Sequence, residues 1–349
     1  MEGYQLKERE KAILRYVIHQ FILTASPVGS RNISKKYELG LSPATIRNIM
    51  SDLEDFGLLE HPHTSAGRIP TDKGYRLYVD SLMDPPHLDP ESIQYIDSGL
   101  AGLSNETDEL LKVTSLMLSD ITNQLALVTY PRFDQAILEK IQIVQLSSIR
   151  ILVVVSIQSG MVKTITLELN ATVKAEHLEA VQRFLNERLS GLRFDEIRAT
   201  IKDRIRDYNR EDYKPIVSLF LDSVDKIFTD VKINDKAFLT GTKHILKQPE
   251  FDDHQNLQGI IELIEDKDVI VHIMDSKSSG RKGDLTISIG EENKEDKLSY
   301  YSMVIKDYEA GSVKGTVGVM GPKRMEYSKI IAAVLYAAEQ LSNELKRKS

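Results

Sequence analysis

The stretch "LSPATIRNIMSDLEDFGLLE", Leu41 to Glu60, is closed at both ends, and that limits what it can become. Ser42 before Pro43 is a helix start: the hydroxyl caps a free amide, and the proline sits in the first turn, where its missing N–H costs nothing. Gly57 is a stop. Between them, stepping roughly 100° per residue puts Ile46, Ile49, Met50, Leu53 and Phe56 on one broad apolar stripe. Ala44, Arg47, Asn48, Ser51 and Asp55 point the other way, with neutral or basic members early and Asp52, Glu54 and Asp55 late. A helix of this kind touches a partner with its front half.

Its flanks say which architecture it belongs to. Leu6 to Thr24 carries Ile13, Tyr16, Val17, Phe21 and Ile22 at helical spacing, and "SPVGS" then ends that helix. Ser30 is expected to cap a short second helix through about Tyr37, with Ile33 facing in and "ELGLS" as the turn. After Gly57, "LLEHPHTSAGRIPT" reads as two extended segments around a polar tip, with Leu58, Leu59 and Ile69 at its base. "TDKGYRLYVDSLM" resumes a helix, and "DPPHLDP", Asp84 to Pro90, breaks it. Helix, helix, turn, helix and two-stranded wing make a winged helix-turn-helix unit over 1–83 with a linker at 84–90, and in that architecture the third helix enters a DNA major groove.

The remainder mixes patterns. Glu91 to Val128 is helical, whereas Ala136 to Leu169 alternates with period two and holds β-branched runs, with turns at Ser147 and at Ser159 to Gly160. Two amphipathic helices follow. A helical block from about Glu211 to Gly283 interrupts, ending in the mobile-looking "SKSSGRKGD", before strand patterns return in "LTISIGEEN", "LSYYSMVIKDYE" and "SVKGTVGVM". A last helix from about Tyr327 to Leu345 has the stripe Ile330, Ile331, Val334, Leu335, Ala338 and Leu341. The expected fold is multidomain α+β: an antiparallel α+β domain in two parts, 91–208 and 285–349, split by an insertion at 209–284. The apolar stripe of "KPIVSLFLDSVDKIF" suits an interface and a domain core equally.

The candidate reading residues sit at the front of the third helix. Arg47 can fork to a guanine, Asn48 can pair with an adenine, and Ala44 or the Thr45 methyl can meet a thymine methyl. Ser42, Thr45 and Ser51 are donors that position more than they specify. From Ser26 to Ser51, Arg31, Lys35, Lys36 and Arg47 stand against Glu38 alone, a local charge of +3 on a chain whose net charge is −7. In the wing, His63, Thr64, Ser65 and Arg68 cluster near the tip with His61, and Arg68 is placed to enter a minor groove. A three-helix unit with a hairpin also serves as a protein-docking module, in which Arg47 and Asn48 would be ordinary solvated residues.

Other chemistry is poorly supported. Cys is absent, which removes disulfides, thiol nucleophiles and cysteine metal sites and fits a reducing cytoplasm. "HPH" at His61 to His63 lacks carboxylate or thiol partners for a metal. Gly311, Gly315, Gly318 and Gly321 match neither a dinucleotide fingerprint nor a P-loop, and read as turns and close packing. "SIGEEN" and "IEDKD" bring carboxylates together without a matched acid and base, so they read as solvated loops. No "GxSxG" elbow occurs. No signal peptide and no bilayer-length apolar run is present, so a soluble, cytoplasmic chain that is not an enzyme, with no cofactor and no membrane contact, is expected.

"LSPATIRNIMSDLEDFGLLEHPHTSAGRIPTDKGYRLYVD" and "GPKRMEYSKIIAAVLYAAEQLSNEL", with "SIGEEN" and "SMVIKDYEAGSVKGTVGVM" between, closely resemble the bacterial heat-inducible transcription repressor HrcA family. "SAGRIPTDKGYR" and "GPKRMEY" carry most of the specificity. The resemblance runs from near the N-terminus to Leu345 and is weakest over Glu211 to Gly283, where a longer polar "MDSKSSGRKGDLT" departs from it. It implies a homodimeric repressor that binds an inverted-repeat operator upstream of chaperone operons. It also implies a GAF-like domain with an inserted dimerisation domain, and a GroEL chaperonin that supports the active form. A GAF-like sensor of a small molecule is the alternative, and an adaptor that binds chaperonin but no operator is a third.

Overall fold

The computed structural model describes residues 6–37, 40–62, 67–103, 107–133, 136–158, 160–170, 172–206, 211–229, 237–266, 269–272, 274 and 285–347. The "SKSSGRKGD" stretch lies outside them. The N-terminal head is α1 (Glu8–Thr24), α2 (Ser30–Lys36), α3 (Pro43–Asp55) and the hairpin β1 (Leu59–Glu60) with β2 (Ile69–Pro70), closed by α4 (Asp72–Leu77). Its core is Ile13, Leu14, Val17, Ile18, Ile33, Ile46, Met50, Leu53 and Leu59, all buried, so the stripe of α3 faces inward as its period requires. Ser42 caps α3, accepting from the Thr45 N–H at 3.1 Å, and Gly57 takes φ +69°, a left-handed backbone that glycine adopts without strain. One cap differs. Gly29, not Ser30, is the N-cap of α2, and it supplies no side-chain bond.

Beyond the linker, α5 (Pro90–Leu100) and α6 (Thr107–Thr122) precede β3 (Leu125–Thr129), and then come β4 (Leu138–Gln145), β5 (Arg150–Ile157) and β6 (Val162–Glu168). Next are α7 (Ala175–Leu189), α8 (Phe194–Arg204), α9 (Lys214–Asp222), α10 (Val224–Phe228), β7 (Ala237–Thr240), α11 (Thr242–Ile245) and α12 (His254–Glu265). The chain finishes with β8 (Thr286–Ile289), β9 (Tyr301–Ala310), β10 (Val313–Pro322) and α13 (Tyr327–Arg347). Both larger sheets are antiparallel, and the class is α+β.

Strand pairing divides the chain differently from the pattern along it. β7, β3, β10, β9 and β8 lie side by side in one five-stranded sheet, the body. β4, β5 and β6 form a separate three-stranded sheet. β7, expected inside an independent insertion, therefore belongs with the body, while the strands of 138–168 do not. Alternating hydrophobicity identifies a strand but carries no mark of which neighbour it joins.

The body is covered on both faces, which explains why β3 and β10 are buried almost throughout. Ala126, Val128, Val304, Val317 and Val319 meet α5, α6 and α13 in one core, and Leu125, Leu127, Met303, Ile305 and Met320 meet α11, α12, Ile270, Val271 and Met274 in another. In the three-stranded unit, Ile141, Ile151, Val153, Val155 and Leu167 pack under α7 to α10. The "KPIVSLFLDSVDKIF" stripe, Ile216, Val217, Phe220, Val224, Ile227 and Phe228, is buried core within one chain. The glycines of β10 are close-packing sites: a Cβ at Gly315 would strike the Tyr308 ring, and one at Gly321 the Gln124 amide.

Candidate nucleic-acid interface

The front of α3 is a free polar edge. Ser42, Ala44, Thr45, Arg47, Asn48 and Ser51 are all exposed. Ser42 Oγ and Thr45 Oγ1 share a hydrogen bond of 2.9 Å, so both hydroxyls are fixed at the helix start. Arg47 and Asn48, on the outer face, have no hydrogen-bond or ionic partner among the described residues. An exposed guanidinium beside an exposed carboxamide, on a helix held rigid by Ile46, Met50 and Leu53, can reach base edges without first breaking an internal bond. Arg31 and Lys35 are exposed one turn apart on α2 and likewise uncommitted among the described residues. Lys36 is not: its Nζ donates to Gln20 Oε1 at 2.9 Å.

Only the stem of the expected hairpin falls among the described residues. His63, Thr64 and Ser65 lie outside the described residues. Arg68 belongs to the stem, where its Nη2 meets Glu54 Oε2 at 2.7 Å and its backbone pairs with Val28 in both directions, at 2.9 and 3.0 Å. Its side chain is only 16% exposed. The Glu54 carboxylate, in the last turn of α3, claims the side chain that the sequence placed toward a minor groove and ties hairpin to helix. Gly67 permits this approach, since a Cβ there would strike Pro27.

Sequence reasoning missed the residues that hold this head to the body. Lys73 Nζ and Thr71 Oγ1 donate to the carbonyls of Phe56 and Gly57, so the end of α3 is carried on α4. From α4, Asp72 accepts from Lys323 Nζ at 2.5 Å and from the Glu291 N–H at 3.0 Å. Arg76 forks to Glu292, at 2.5 and 2.8 Å, and also donates to the Ile287 carbonyl at 2.8 Å. The Glu292 carboxylate raises the Arg76 pKa still further, so that cation is permanent. From the body, Arg324 chelates Glu250 at 2.6 and 3.1 Å and donates to the Ile22 carbonyl at the end of α1, at 2.6 Å. The linker is pinned as well, through Asp84 to Arg15 at 2.5 Å and the Pro85 carbonyl to Ser328 Oγ at 2.9 Å.

"TDKGYR", "SIGEEN" and "GPKRMEY" thus meet in one latch, and the Glu292 carboxylate of "SIGEEN" is not merely solvated. Gly290 is part of it: at φ +56°, a Cβ there would strike the Asp72 carboxylate. The signal available in the sequence was charge complementarity among three motifs, with "TDKGYR" supplying both an acid and a base, but nothing in spacing pairs residues more than two hundred positions apart. A double-mutant cycle tests the latch. Asp72→Asn and Lys323→Met should couple by about 1 kcal/mol in unfolding, discounted because both groups are partly solvated. Additive effects would show that the pair holds nothing.

Among the described residues, no group of three or more His, Asp or Glu is placed to hold a metal ion, and no helix is long and apolar enough to cross a membrane.

Comparison with known proteins finds relatives along nearly the whole chain. Residues 108–331 match the family model described as the HrcA protein C terminal domain. The chain is 40% identical over 355 residues to the heat-inducible transcription repressor HrcA of Chlorobium phaeobacteroides strain BS1, covering 99% of this chain and 100% of that one. Identity to the protein of the same name from Chlorobaculum parvum is 42% over 350 residues, covering 97% of each. A crystal structure of a hypothetical protein, determined at 2.2 Å, shares the fold, with a TM-score of 0.60 and 21% identity across 99% of this chain and 100% of that one. Matched along its whole length at this identity, the chain belongs to the HrcA family of heat-inducible transcription repressors.

Proposed function

We propose that this chain represses chaperone-operon transcription by binding an inverted-repeat operator as a homodimer, each protomer reading one half-site with the front of α3. The observation that carries the reading is that Arg47 and Asn48 are exposed, and unpaired among the described residues, on a helix whose other face is core. On this reading the head is a winged helix-turn-helix unit, the recognition residues are Ser42, Ala44, Thr45, Arg47, Asn48 and Ser51, and Arg31 and Lys35 contact phosphate. We read the five-stranded body as the GAF-like domain and redraw the inserted unit as residues 137–229, because β4 to β6 pair only among themselves. GroEL, the partner implied by family membership, would hold the active form, so that chaperonin occupied with unfolded protein releases the operator. The sensor alternative has less room, since both faces of the body's sheet are filled by core side chains.

Two modules on a two-fold axis multiply a specificity ratio that one module cannot supply alone. The outer face of the three-stranded sheet suits the dimer contact. Val144 opposes Leu152, Val154 lies between Gln142 and Thr164, and Ser156 lies between Lys140 and Val162, so the middle of the face is apolar or uncharged while Lys140 and the Arg150–Glu168 pair stand at its two ends. Val144 is 48% and Val162 55% exposed, and Leu146 and Ile149 at the adjoining hairpin are also exposed. Val154→Asp, which leaves the inner face untouched, should weaken dimerisation at least about 30-fold by burying two unpaired carboxylates across the axis. Light scattering that finds an unchanged dimer would move the interface elsewhere.

The defining experiment is a fluorescence anisotropy titration against an inverted-repeat operator and a scrambled duplex at fixed salt, with and without GroEL. Tight binding of two protomers to the operator alone supports repression, and a gain with GroEL supports the chaperonin's part. Equal weak binding to both duplexes refutes base reading by α3.

A further inference from the structure

Directional bonds join head and body at two separate elements. On α4, Asp72 and Arg76 meet Lys323 and Glu292 of the body, and at the end of α1 the Ile22 carbonyl accepts from Arg324, which Glu250 holds from behind. None of these six side chains is more than 38% exposed, so solvent screens the pairs only in part. The Arg76–Glu292 pair is a two-pronged fork, with Nη2 and Nε donating at 2.5 and 2.8 Å, and a fork fixes rotation as well as distance. The Tyr75 and Tyr327 rings also meet there, with centroids 6.1 Å apart, but apolar burial is non-directional and the forked and charged contacts set the angle. One attachment would leave a hinge. Attachments at α1 and α4 together leave none.

This constraint reaches α3. The Phe56 and Gly57 carbonyls that close α3 accept from Lys73 and Thr71, the chain neighbours of Asp72, so a rotation of α4 against the body is a rotation of α3. In a dimer on an inverted repeat, the angle of each head against its body decides how far apart the two α3 helices stand and how they face the groove. One added base pair between half-sites moves them apart by about 3.4 Å and turns one against the other by about 35°. Two rigidly mounted heads meet only one spacing well, whereas two tethered heads meet several almost equally.

We propose that Asp72, Arg76, Glu292, Lys323 and Arg324 are positioning residues that set the half-site spacing this repressor accepts, with the linker at 84–90 serving as tether rather than ruler. The inference rests on the operator reading and deepens it.

The test is an anisotropy series on the full-length dimer, using the operator, operators with the spacer lengthened or shortened by up to three base pairs, an isolated half-site and a scrambled duplex. The variant changes body residues only, Glu292→Gln, Lys323→Met and Arg324→Met together. Wild type should lose at least about tenfold in affinity on a two-base-pair change of spacer, and the variant less than about threefold. Lost charge or a less stable fold weakens every duplex by a common factor and leaves that ratio unmoved. The variant should also keep the wild-type ratio of half-site to scrambled binding, which reports an intact head. Lys323→Met alone, a milder change, should flatten the spacer profile part of the way. A wild-type spacer profile in either variant overturns the positioning role while operator reading stands, and so does a wild type that prefers the operator but is indifferent to its spacer. A wild type that binds the scrambled duplex as tightly as the operator refutes operator reading, and the ruler falls with it.

Discussion

Gly74→Ala should destabilise the head by about 2–3 kcal/mol, although the same change in an open helix would stabilise it by roughly 1 kcal/mol. Gly74 is in the middle of α4, where a glycine is ordinarily a liability. A Cβ at that position would collide with the Leu58 carbonyl oxygen, a backbone atom that cannot swing aside. The Leu58 carbonyl is also fixed by the Thr71 N–H at 3.2 Å, so α4 rather than the hairpin must move. Its movement shifts Asp72 and Arg76 together, and the latch loosens with the packing. Urea unfolding measures the loss, and Gly29→Ala is the control. Gly29 has ordinary φ and nothing within 4 Å of the added carbon, so its change should cost no more than the roughly 1 kcal/mol of placing alanine at an N-cap. Equal effects at the two positions would reject the close approach.

Gly74 also shows where reading a sequence stops. The glycine in "TDKGYR" breaks helix propensity without a turn to justify it, and the reason is an atom supplied from outside the helix. The local devices of the head were legible because each acts within a few residues: the Ser42 cap, the Gly57 stop, the stripe of α3, and the exposure of Arg47 and Asn48. The assignment of Arg68 failed because its partner, Glu54, sits on another element, and an arginine near a hairpin tip looks the same paired or free. The sheet assignments failed for a related reason. Residues 138–168 and 286–322 have the same alternation, and only the packing of α5, α6 and α13 against one set and α7 to α10 against the other separates them. The apolar stripe at 214–228 was equally silent, since core and interface demand the same residues.

Arg47→Ala should weaken operator binding by about 1–3 kcal/mol and relax the preference at one base position. Arg47 is exposed on the outer face of α3, one turn from the Ser42 cap, and its neighbours in the core, Ile46 and Met50, do not depend on it. Removing the guanidinium therefore leaves the helix in place, and the loss reports a contact rather than an unfolded head. Lys35→Ala is the necessary contrast. On α2, with an ammonium rather than a planar fork, Lys35 can neutralise a phosphate but cannot read a base in two places at once. Its loss should flatten the dependence of log affinity on log salt by about one unit and leave sequence preference intact. Anisotropy titrations over a salt series, on the operator and on duplexes changed one base pair at a time, separate the two. If Arg47→Ala weakens every duplex equally, Arg47 contributes charge rather than recognition, and base reading passes to Asn48 or to the wing. If Arg47→Ala changes nothing, the front of α3 does not face the groove, and the free edge that distinguishes this head is a docking surface instead.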